Sequence, residues 1–231
     1  MSLVFIISAP SGSGKSTLVN EIKRLVDRLE FSVSYTTRQP RGSEENGREY
    51  YYTSRDVFER VIANREFLEY ADVFENYYGT TKKFLDDAIV RGNDLLLDID
   101  VQGASQLQET LPDAISIFVL PPTKQELENR LRRRSSAERM TDEAVIKRRL
   151  ETATREIEKY SKYDYILVND RLDDSIDALR AIILTERLRA AGREPSRADE
   201  QMLAELAQGR RLERVQPNLG PILDSFRKTT V

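Results

Sequence analysis

The N-terminal segment combines a strand, a glycine-containing loop and a helix, and this arrangement constrains the fold more than any other part of the chain. Leu3–Ile7 is an unbroken apolar run rich in branched side chains, which is typical of a parallel strand covered on both faces. From Leu18 onward the apolar residues recur at the spacing of one helix face. The loop between them ends in Gly14-Lys15-Ser16, which matches the end of the phosphate-binding loop motif, with Ala9 in place of its first glycine.

The chemistry of this loop depends on its two glycines and on the helix that follows. Gly12 and Gly14 allow the backbone to turn so that several N–H groups point at one anion, and the helix N-terminus adds positive potential. Lys15 can reach terminal phosphates, and the Ser16 hydroxyl can bind Mg²⁺. A chance surface turn is the weaker alternative, because the flanking strand and helix are those that the motif requires. The sequence therefore predicts an ATP-type phosphate site made of Ala9, Pro10, Ser11, Gly12, Ser13, Gly14, Lys15, Ser16 and Thr17.

Histidine and cysteine are both missing from the composition, and their absence narrows the possible chemistry. The 231 residues include no histidine and no cysteine. This excludes imidazole catalysis, phosphohistidine intermediates, thiolate chemistry and disulfides. A reaction in this protein must depend on positioning, on electrostatics or on a carboxylate.

Charge and hydropathy exclude further classes of partner. The net charge of −3 argues against a general polyanion-binding protein, so we expect no nucleic acid partner. No apolar run approaches ~20 residues, so we expect no membrane span. The chain enters its first strand at once, which leaves no room for a signal peptide and predicts a cytoplasmic location.

Strand and helix patterns alternate along most of the chain, which predicts an α/β doubly wound fold with a parallel sheet, as in P-loop NTPases. Residues 34–81 interrupt this alternation and predict an inserted, mixed α+β subdomain. Arginine-rich helix ends around residues 126–145 predict a mobile helical lid over polyphosphate, with a solvated basic face as the alternative. The expected core comprises 1–33, 82–125 and 146–192, and residues 193–231 form a tail of unassigned role that docks or stays loose.

Two acidic residues, Asp98 and Asp100, follow the apolar strand pattern of Leu95–Leu97. Ligands of an α/β sheet gather beyond the C-terminal ends of its strands, so we expect these carboxylates to face the phosphate loop. There they can orient Mg²⁺ through water or pair with Lys15. An ordinary acidic turn is the alternative interpretation.

The predicted insert carries a second group of charged residues. Arg38 and Arg41 flank Pro40, and arginines on such a loop suit bidentate phosphate binding, although this segment taken alone is better explained as a solvated charged loop. Glu69 stands among bulky residues, where a carboxylate needs a donor such as the N–H groups of a base edge. Simple strand alternation would instead turn Glu69 toward water.

Taken in chain order, these motifs resemble the guanylate kinase family. The resemblance extends from about Leu3 to Arg189 and rests on the phosphate loop with Ser34–Arg41, Asn46–Tyr50, Phe67–Glu69, Asn76–Thr80 and Leu97–Asp100. Several spaced motifs in the right order are far more specific than the phosphate loop alone. The resemblance implies Mg²⁺-dependent transfer of the γ-phosphoryl group of ATP to GMP, giving ADP and GDP, in purine nucleotide metabolism and GMP recycling.

The resemblance also implies roles for individual residues. Ser34, Glu69 and Thr80 are expected to read the guanine, with Asp100 close to the same edge. The full expected GMP-binding set is Ser34, Arg38, Arg41, Tyr50, Glu69, Tyr78, Gly79, Thr80, Asp98 and Asp100. The expected catalytic cations are Lys15, Arg38, Arg130, Arg134 and Arg149, and Asn169 is expected to join the phosphate loop in binding ATP. Ser16 is the expected protein ligand of Mg²⁺, with Asp98 or Asp100 acting through water.

The lid departs from the family pattern because it is longer, so Arg148 competes with Arg149 for the same role. Arg149 is preferred since it directly precedes Leu150, as the arginine of the family does. Use of dGMP in place of GMP, and the choice between monomer and homodimer, stay open at this stage.

Two other functions are compatible with parts of the sequence. A guanylate-kinase-like binding module keeps the fold and recognises protein partners, but it characteristically lacks a working phosphate loop, which Lys15 and Ser16 argue against. A kinase of another small phosphorylated metabolite would not need Ser34, Glu69 and Thr80 together.

Overall fold

The structure, a computed structural model, describes residues 2–73, 75–137 and 143–227, apart from the side chains of 134–137. In chain order the strands are β1 (Val4–Ser8), β2 (Leu29–Phe31), β3 (Tyr35–Thr36), β4 (Tyr51–Tyr52), β5 (Phe67–Val73), β6 (Asn76–Thr81), β7 (Asp94–Asp98), β8 (Ile115–Leu120) and β9 (Tyr165–Val168). The helices are α1 (Lys15–Leu25), α2 (Arg55–Ala63), α3 (Lys82–Arg91), α4 (Val101–Thr110), α5 (Lys124–Ala137), α6 (Glu143–Ile157), α7 (Leu172–Ala190), α8 (Ala198–Gln208), α9 (Leu212–Val215) and α10 (Gly220–Arg227). Short 3₁₀ helices occupy Glu158–Lys162 and Gln216–Asn218.

One sheet has the strand order β2-β7-β1-β8-β9. In it β2 is parallel to β7, with Leu29 opposite Asp94, and β8 is parallel to β9, with Ile117 opposite Tyr165. The middle of β7 is apolar and fully covered, with residues 95–97 at most 1% exposed. Such runs are typical of parallel strands that are covered on both faces. The predicted α/β fold with a parallel sheet of the P-loop NTPase type is confirmed.

A second sheet has the strand order β4-β3-β6-β5 and is mixed. Here β3 runs parallel to β4 and antiparallel to β6, and β6 is antiparallel to β5. Before β5 the chain forms α2, whose N-terminus is capped by the Ser54 hydroxyl, accepting from the Val57 N–H at 3.3 Å. A mixed sheet within 35–81 agrees with the mixed α+β insert predicted for this part of the chain. The exact limits of core, insert, lid and tail stay predictions.

The alternating pattern of Phe31–Thr37 predicts one strand, and this prediction is wrong. The chain instead leaves the parallel sheet after Phe31 and enters the mixed sheet at Tyr35. The Ser32 N–H still donates to the Leu96 carbonyl at 3.3 Å, whereas the Ser34 carbonyl already accepts from the Tyr51 N–H at 2.9 Å. The two ends of the segment find partners in different sheets, which periodicity within the segment cannot reveal.

The structure divides into two compact units, and their described residues lie within 1–6 and 28–115 for the first and within 7–27 and 116–231 for the second. Within the first unit, α4 packs along β5 and α3 packs on β7. Within the second, α1 and α8 both pack against α7. Among the helices described, none has the length and apolar character needed to cross a membrane.

The described part of the tail docks within the second unit. The Arg210 carbonyl accepts from the Ile166 N–H at 2.9 Å, and the Leu212 N–H donates to the Asp164 carbonyl at 2.9 Å, so these residues extend the hydrogen bonding of β9. Helix α10 packs against α5 and α6. Its Ser225 hydroxyl accepts from the Lys124 N–H at 3.1 Å and so satisfies a donor in the first turn of α5.

Candidate active site

The phosphate loop connects β1 to α1 and turns at two glycines. Gly12 and Gly14 have φ values of 92° and 90°, in the left-handed region that favours glycine. The Ser13 N–H donates to the Pro10 carbonyl at 3.1 Å, and α1 begins at Lys15 directly after the turn. A backbone of this kind directs successive N–H groups toward an anion at the helix N-terminus.

Two side chains from elsewhere in the second unit hold one carbonyl of the loop. The Asn169 amide donates to the Ser13 carbonyl at 2.7 Å, and the Arg130 guanidinium donates to the same oxygen at 3.4 Å. Arg130 also donates to the Asn169 carbonyl at 3.0 Å. A Cβ on Gly14 would lie 2.3 Å from the Asn169 amide nitrogen, so the loop can approach Asn169 only with glycine at this position. Asn169, which is predicted to bind ATP, and Arg130, a predicted catalytic cation, therefore lie directly against the loop.

The other predicted loop residues differ in exposure. Ala9 and Pro10 are buried where the chain leaves β1, and Lys15 is partly buried. Ser11, Ser16 and Thr17 are exposed, which leaves the Ser16 hydroxyl accessible to a ligand. Within the part of the chain that is described, the Ser13 hydroxyl is buried and meets no hydrogen-bond partner.

The predicted lid arginines lie on α5 and α6. Arg149 is 8% exposed, whereas its neighbour Arg148 is exposed. Arg134 belongs to α5, but its side chain lies outside the described part of the structure, as do residues 138–142 of the predicted lid. Arg132, which the sequence analysis did not single out, donates to Glu143 of α6 at 3.0 Å and so links the two helices.

In the first unit, the three residues predicted to read guanine lie together. The Ser34 and Thr80 hydroxyl oxygens are 3.0 Å apart and share a hydrogen bond, and both residues are buried. Thr80 on β6 lies opposite Glu69 on β5, next to an irregularity in the pairing of these strands. Glu69 is only 4% exposed, so the alternative in which its carboxylate faces water is wrong.

Gly79 brings β5 and β6 close together at this point. A Cβ at Gly79 would lie 2.9 Å from both the Glu69 carbonyl oxygen and the Tyr70 Cβ, and 3.0 Å from the ring of Phe58. A larger residue would therefore push β6 away from the strand that carries Glu69. Gly79 contributes to the predicted GMP site by allowing this approach of the backbone.

The acidic residues Asp98, at the end of β7, and Asp100, just beyond it, have different surroundings. Asp100 caps the N-terminus of α4, because its Oδ1 accepts from the N–H groups of Gln102 at 2.6 Å and Gly103 at 2.9 Å. Asp98 is partly buried, and its charge adds to the effect of burial in raising the pKa of Tyr50. Among the residues that the structure describes, no three acidic side chains are grouped closely enough to hold a metal ion by themselves.

Arg38 is the most buried of the predicted phosphate-binding arginines on the insert, at 8% exposed. Its guanidinium donates to Glu44 through two bonds of 2.9 and 3.1 Å and to the Gln39 carbonyl at 2.7 Å. Glu44 also accepts from the Arg41 N–H and from the Tyr52 hydroxyl, both at 2.8 Å. Glu44 thus organises this loop, and the sequence analysis missed it. An acid three residues beyond Arg41, in a segment that carries both arginines, is the signal that could have identified it.

In the ion pair of Arg38 and Glu44, burial shifts each pKa toward the neutral form and hydrogen bonding shifts it toward the charged form. The combined bonds have the larger effect. Burial disfavours both charged forms, but the bonds from Arg38, the Arg41 N–H and Tyr52 hold the pKa of Glu44 below its ordinary value of 4.5. Burial also lowers the pKa of Arg38, but the bond to Glu44 and the neighbouring Tyr78 raise it above its ordinary value. Burial together with the bond to Glu44 raises the pKa of Tyr52 to about 12. All three groups therefore keep their ordinary charges at neutral pH.

Two further predicted residues, Tyr50 and Tyr78, pack next to Arg38. Their ring centroids are 5.6 Å apart with an interplanar angle of 68°, and the Arg38 guanidinium carbon lies 5.3 Å from the Tyr50 centroid. This geometry is typical of edge-to-face aromatic and cation–π contacts. The structure thus brings Arg38, Tyr50 and Tyr78 together, and Glu44 bonds both to Arg38 and to the backbone N–H of Arg41.

The sequence and the structure were compared with known proteins. The family model described as guanylate kinase matches residues 1–186. A curated guanylate kinase of Koribacter versatilis is 53% identical over 227 residues, covering 98% of this chain and 97% of the relative, so this match extends into the tail. A curated guanylate kinase of Methylococcus capsulatus is 46% identical over 186 residues, covering 80% of this chain and 89% of the relative.

A solved structure gives the same result at the level of the fold. The crystal structure of guanylate kinase from Anaplasma phagocytophilum superposes with a TM-score of 0.65 and 34% identity, covering 80% of this chain and 86% of that one. The family match spans well over half of the present sequence, and it includes the phosphate loop, the mixed sheet and the segments that carry the buried Glu69. The chain belongs to the guanylate kinase family.

Proposed function

We propose that this protein transfers the γ-phosphoryl group of ATP to GMP and releases ADP and GDP. Membership of the guanylate kinase family and the names of its curated relatives support this reaction. The observation that carries the choice of GMP is the buried carboxylate of Glu69, opposite Thr80, whose hydroxyl is bonded to Ser34. A cytoplasmic location agrees with substrates of this kind.

The buried carboxylate matches the donor pattern of guanine. Guanine presents its N1–H and its 2-amino group side by side, and one carboxylate can accept from both. Adenine has no N–H at N1 and no 2-amino group, so it can give the Glu69 carboxylate neither of these two hydrogen bonds. Sites built in this way can discriminate between substrates by ~10⁴-fold.

The cluster around Arg38 supports binding of the monophosphate. Arg38 and Arg41 supply positive charge, and the Tyr50 and Tyr78 hydroxyls supply neutral donors. A phosphate monoester has a second pKa of about 6, so the GMP phosphate is largely dianionic at neutral pH and is already a nucleophile. The reaction needs no general base, which agrees with a chain that contains no histidine.

The phosphate loop supports binding of ATP. Its N–H groups and Lys15 are expected to hold the phosphates, and Arg130, Arg134 and Arg149 are expected to neutralise charge on the group in transfer. The burial of Arg149, in contrast to the exposure of Arg148, supports choosing Arg149 for this role. Catalysis then depends on in-line positioning and on charge neutralisation.

We infer that Mg²⁺ is the metal cofactor. Mg²⁺ commonly binds one or two protein oxygens and takes its other ligands from phosphates and water, so the site does not require a cluster of acids. The exposed Ser16 hydroxyl at the start of α1 fits the protein ligand, and Asp98 or Asp100 would act through water. The ion would supply positive charge to the transferring phosphates.

A coupled assay of ADP release with Mg-ATP and a panel of nucleoside monophosphates tests the proposal. We expect turnover with GMP and at least ~10³-fold lower kcat/KM with AMP, CMP and UMP. Equal use of AMP and GMP would refute the role of Glu69. Absence of turnover with every monophosphate, while the folded protein still binds a partner protein, would favour the binding-module alternative.

A further inference from the structure

Helix α4 places two residues, Gly103 and Gln106, one turn apart and against β5. Both contact the short segment that carries Glu69. Residues three apart lie on one face of a helix, so a single face of α4 meets β5 at this position. The expected GMP-binding set includes neither residue.

Gly103 leaves space for the Glu69 carboxylate. A Cβ built on Gly103 would lie 2.2 Å from Glu69 Oε2 and 2.9 Å from its Cδ, which is far inside van der Waals contact. Glycine is less favourable than alanine inside a helix, so its presence here calls for a local reason. The carboxylate supplies that reason, because no other side chain could occupy position 103 without displacing it.

Gln106 holds the backbone directly after Glu69. Its side-chain nitrogen donates to the Tyr70 carbonyl at 2.7 Å, and its side-chain oxygen accepts from the Tyr70 N–H at 3.4 Å. Strand β5 is at the edge of its sheet, so this side of the strand has no neighbouring strand to bond. The side-chain amide of Gln106 makes the two backbone hydrogen bonds that a neighbouring strand would make at Tyr70. These bonds fix the position of β5 relative to α4.

We propose that Gly103 and Gln106 are positioning residues that set where the Glu69 carboxylate stands, and that they thereby determine selectivity for the 2-amino group of guanine. Gln106 fixes the backbone of the neighbouring residue, and Gly103 allows the carboxylate to lie against α4. This inference rests on the proposed function. A methyl group at position 103 would displace the carboxylate by roughly 1 Å, enough to take an N–H···O bond of ~2.9 Å out of range.

The main test measures kcat and KM of Gly103→Ala with GMP and with inosine monophosphate, which keeps the N1–H and lacks the 2-amino group. We expect the KM for GMP to rise about tenfold or more and the preference for GMP over inosine monophosphate to fall by a similar factor. The KM for ATP should stay unchanged. Thermal unfolding should show a folded protein, because alanine favours the helix.

Gly220→Ala is the matched control, since nothing lies within 4 Å of a Cβ at that position. It should leave both nucleotide preferences unchanged. In a Glu69→Gln background, Gly103→Ala should add little to the loss, because both changes act through the same carboxylate. Full additivity of the two losses would contradict the proposal.

Gln106→Ala provides an independent measurement if Gly103→Ala does not fold. It should lower the preference for GMP over inosine monophosphate about threefold to tenfold, whereas Gln102→Ala, an exposed change on the same helix, should not. If the unmodified protein makes no ADP with GMP, the proposed function fails. If the unmodified protein prefers GMP and neither α4 variant changes that preference, the present inference is wrong.

Discussion

The phosphate loop and the proposed GMP site differ in which protein groups face the ligand. The loop is one short stretch of chain whose ligand-facing groups are mainly backbone N–H groups, shaped by Gly12 and Gly14 and supported at the Ser13 carbonyl. The GMP site is made of side chains such as Ser34 and Glu69, which come from separate strands and depend on their mutual contacts. A local motif therefore encodes the first site, and tertiary packing produces the second.

This difference predicts how each site responds to mutation. Most side chains of the loop should be replaceable with little loss of activity. Large losses should follow only at the lysine, at the two glycines and at the side chains that bond to the Ser13 carbonyl. In the GMP site, substitution of residues that do not contact the nucleotide should still weaken GMP binding, because it shifts the side chains that do. Four substitutions test the contrast, in order of decreasing expected effect.

Lys15→Met should produce the largest loss, because the loop has one side chain that carries charge to the phosphates. We expect kcat to fall by about 10²–10³-fold or more while the circular dichroism spectrum stays unchanged. Lys23→Met, an exposed change on the same helix, should leave activity intact. Comparable activity in both variants would remove the phosphate loop from the mechanism.

Glu69→Gln should affect the use of GMP and leave ATP binding unchanged. The amide replaces one acceptor oxygen by a donor and removes the charge, so kcat/KM for GMP should fall by about 10–100-fold. The KM for ATP should not change. Asp72→Asn, an exposed change on β5, is the control. A matching rise in the KM for ATP would show that the two sites are not separable in this way.

Asn169→Ala should weaken ATP binding, with a smaller effect than that of Glu69→Gln on the use of GMP. It removes the 2.7 Å bond to the Ser13 carbonyl, and Arg130 still donates to that oxygen. We expect the KM for ATP to rise about threefold to tenfold with the KM for GMP unchanged. Asp170→Ala, at the exposed neighbouring position, should leave both constants as they are.

Glu44→Gln should give the smallest effect and one that depends on pH. Because the pKa of Glu44 is lowered on folding, its contribution to stability is complete above its ordinary value of 4.5 and is lost as the pH falls through the lowered value. Urea unfolding should therefore show the variant about 1 kcal/mol less stable at pH 7 and nearly equal to the unmodified protein once the pH lies below the lowered pKa. Glu45→Gln, with an exposed side chain, should show no such convergence. A gap that persists at low pH would assign the effect to packing.

The sequence predicted well those features whose determinants are close together along the chain. The phosphate loop with its two glycines, the strand before it and the helix after it all depend on neighbouring residues, and the structure has them. For the GMP site, the residues alone left open whether Glu69 faced water, and the resemblance to a family supplied the roles. Its burial depends on contacts that no local pattern contains.

The features that the sequence did not predict have partners far along the chain. Glu44 was missed since its importance depends on being close to Arg38 and Tyr52 in space. The contact between Gly103 and Glu69 joins residues 34 positions apart, and a lone glycine in a helical pattern gives no indication of it.

The bonds between Arg210–Leu212 and β9 have a consequence for how the protein is made. These residues are synthesised well after β9. The newly made chain therefore has an unpaired strand edge until residues 210–212 leave the ribosome and bond to β9. An open edge of this kind recruits strands from other molecules. A chain shortened to the 186 residues that the family model matches would keep that edge permanently, and we expect it to precipitate at concentrations where the full chain stays in solution.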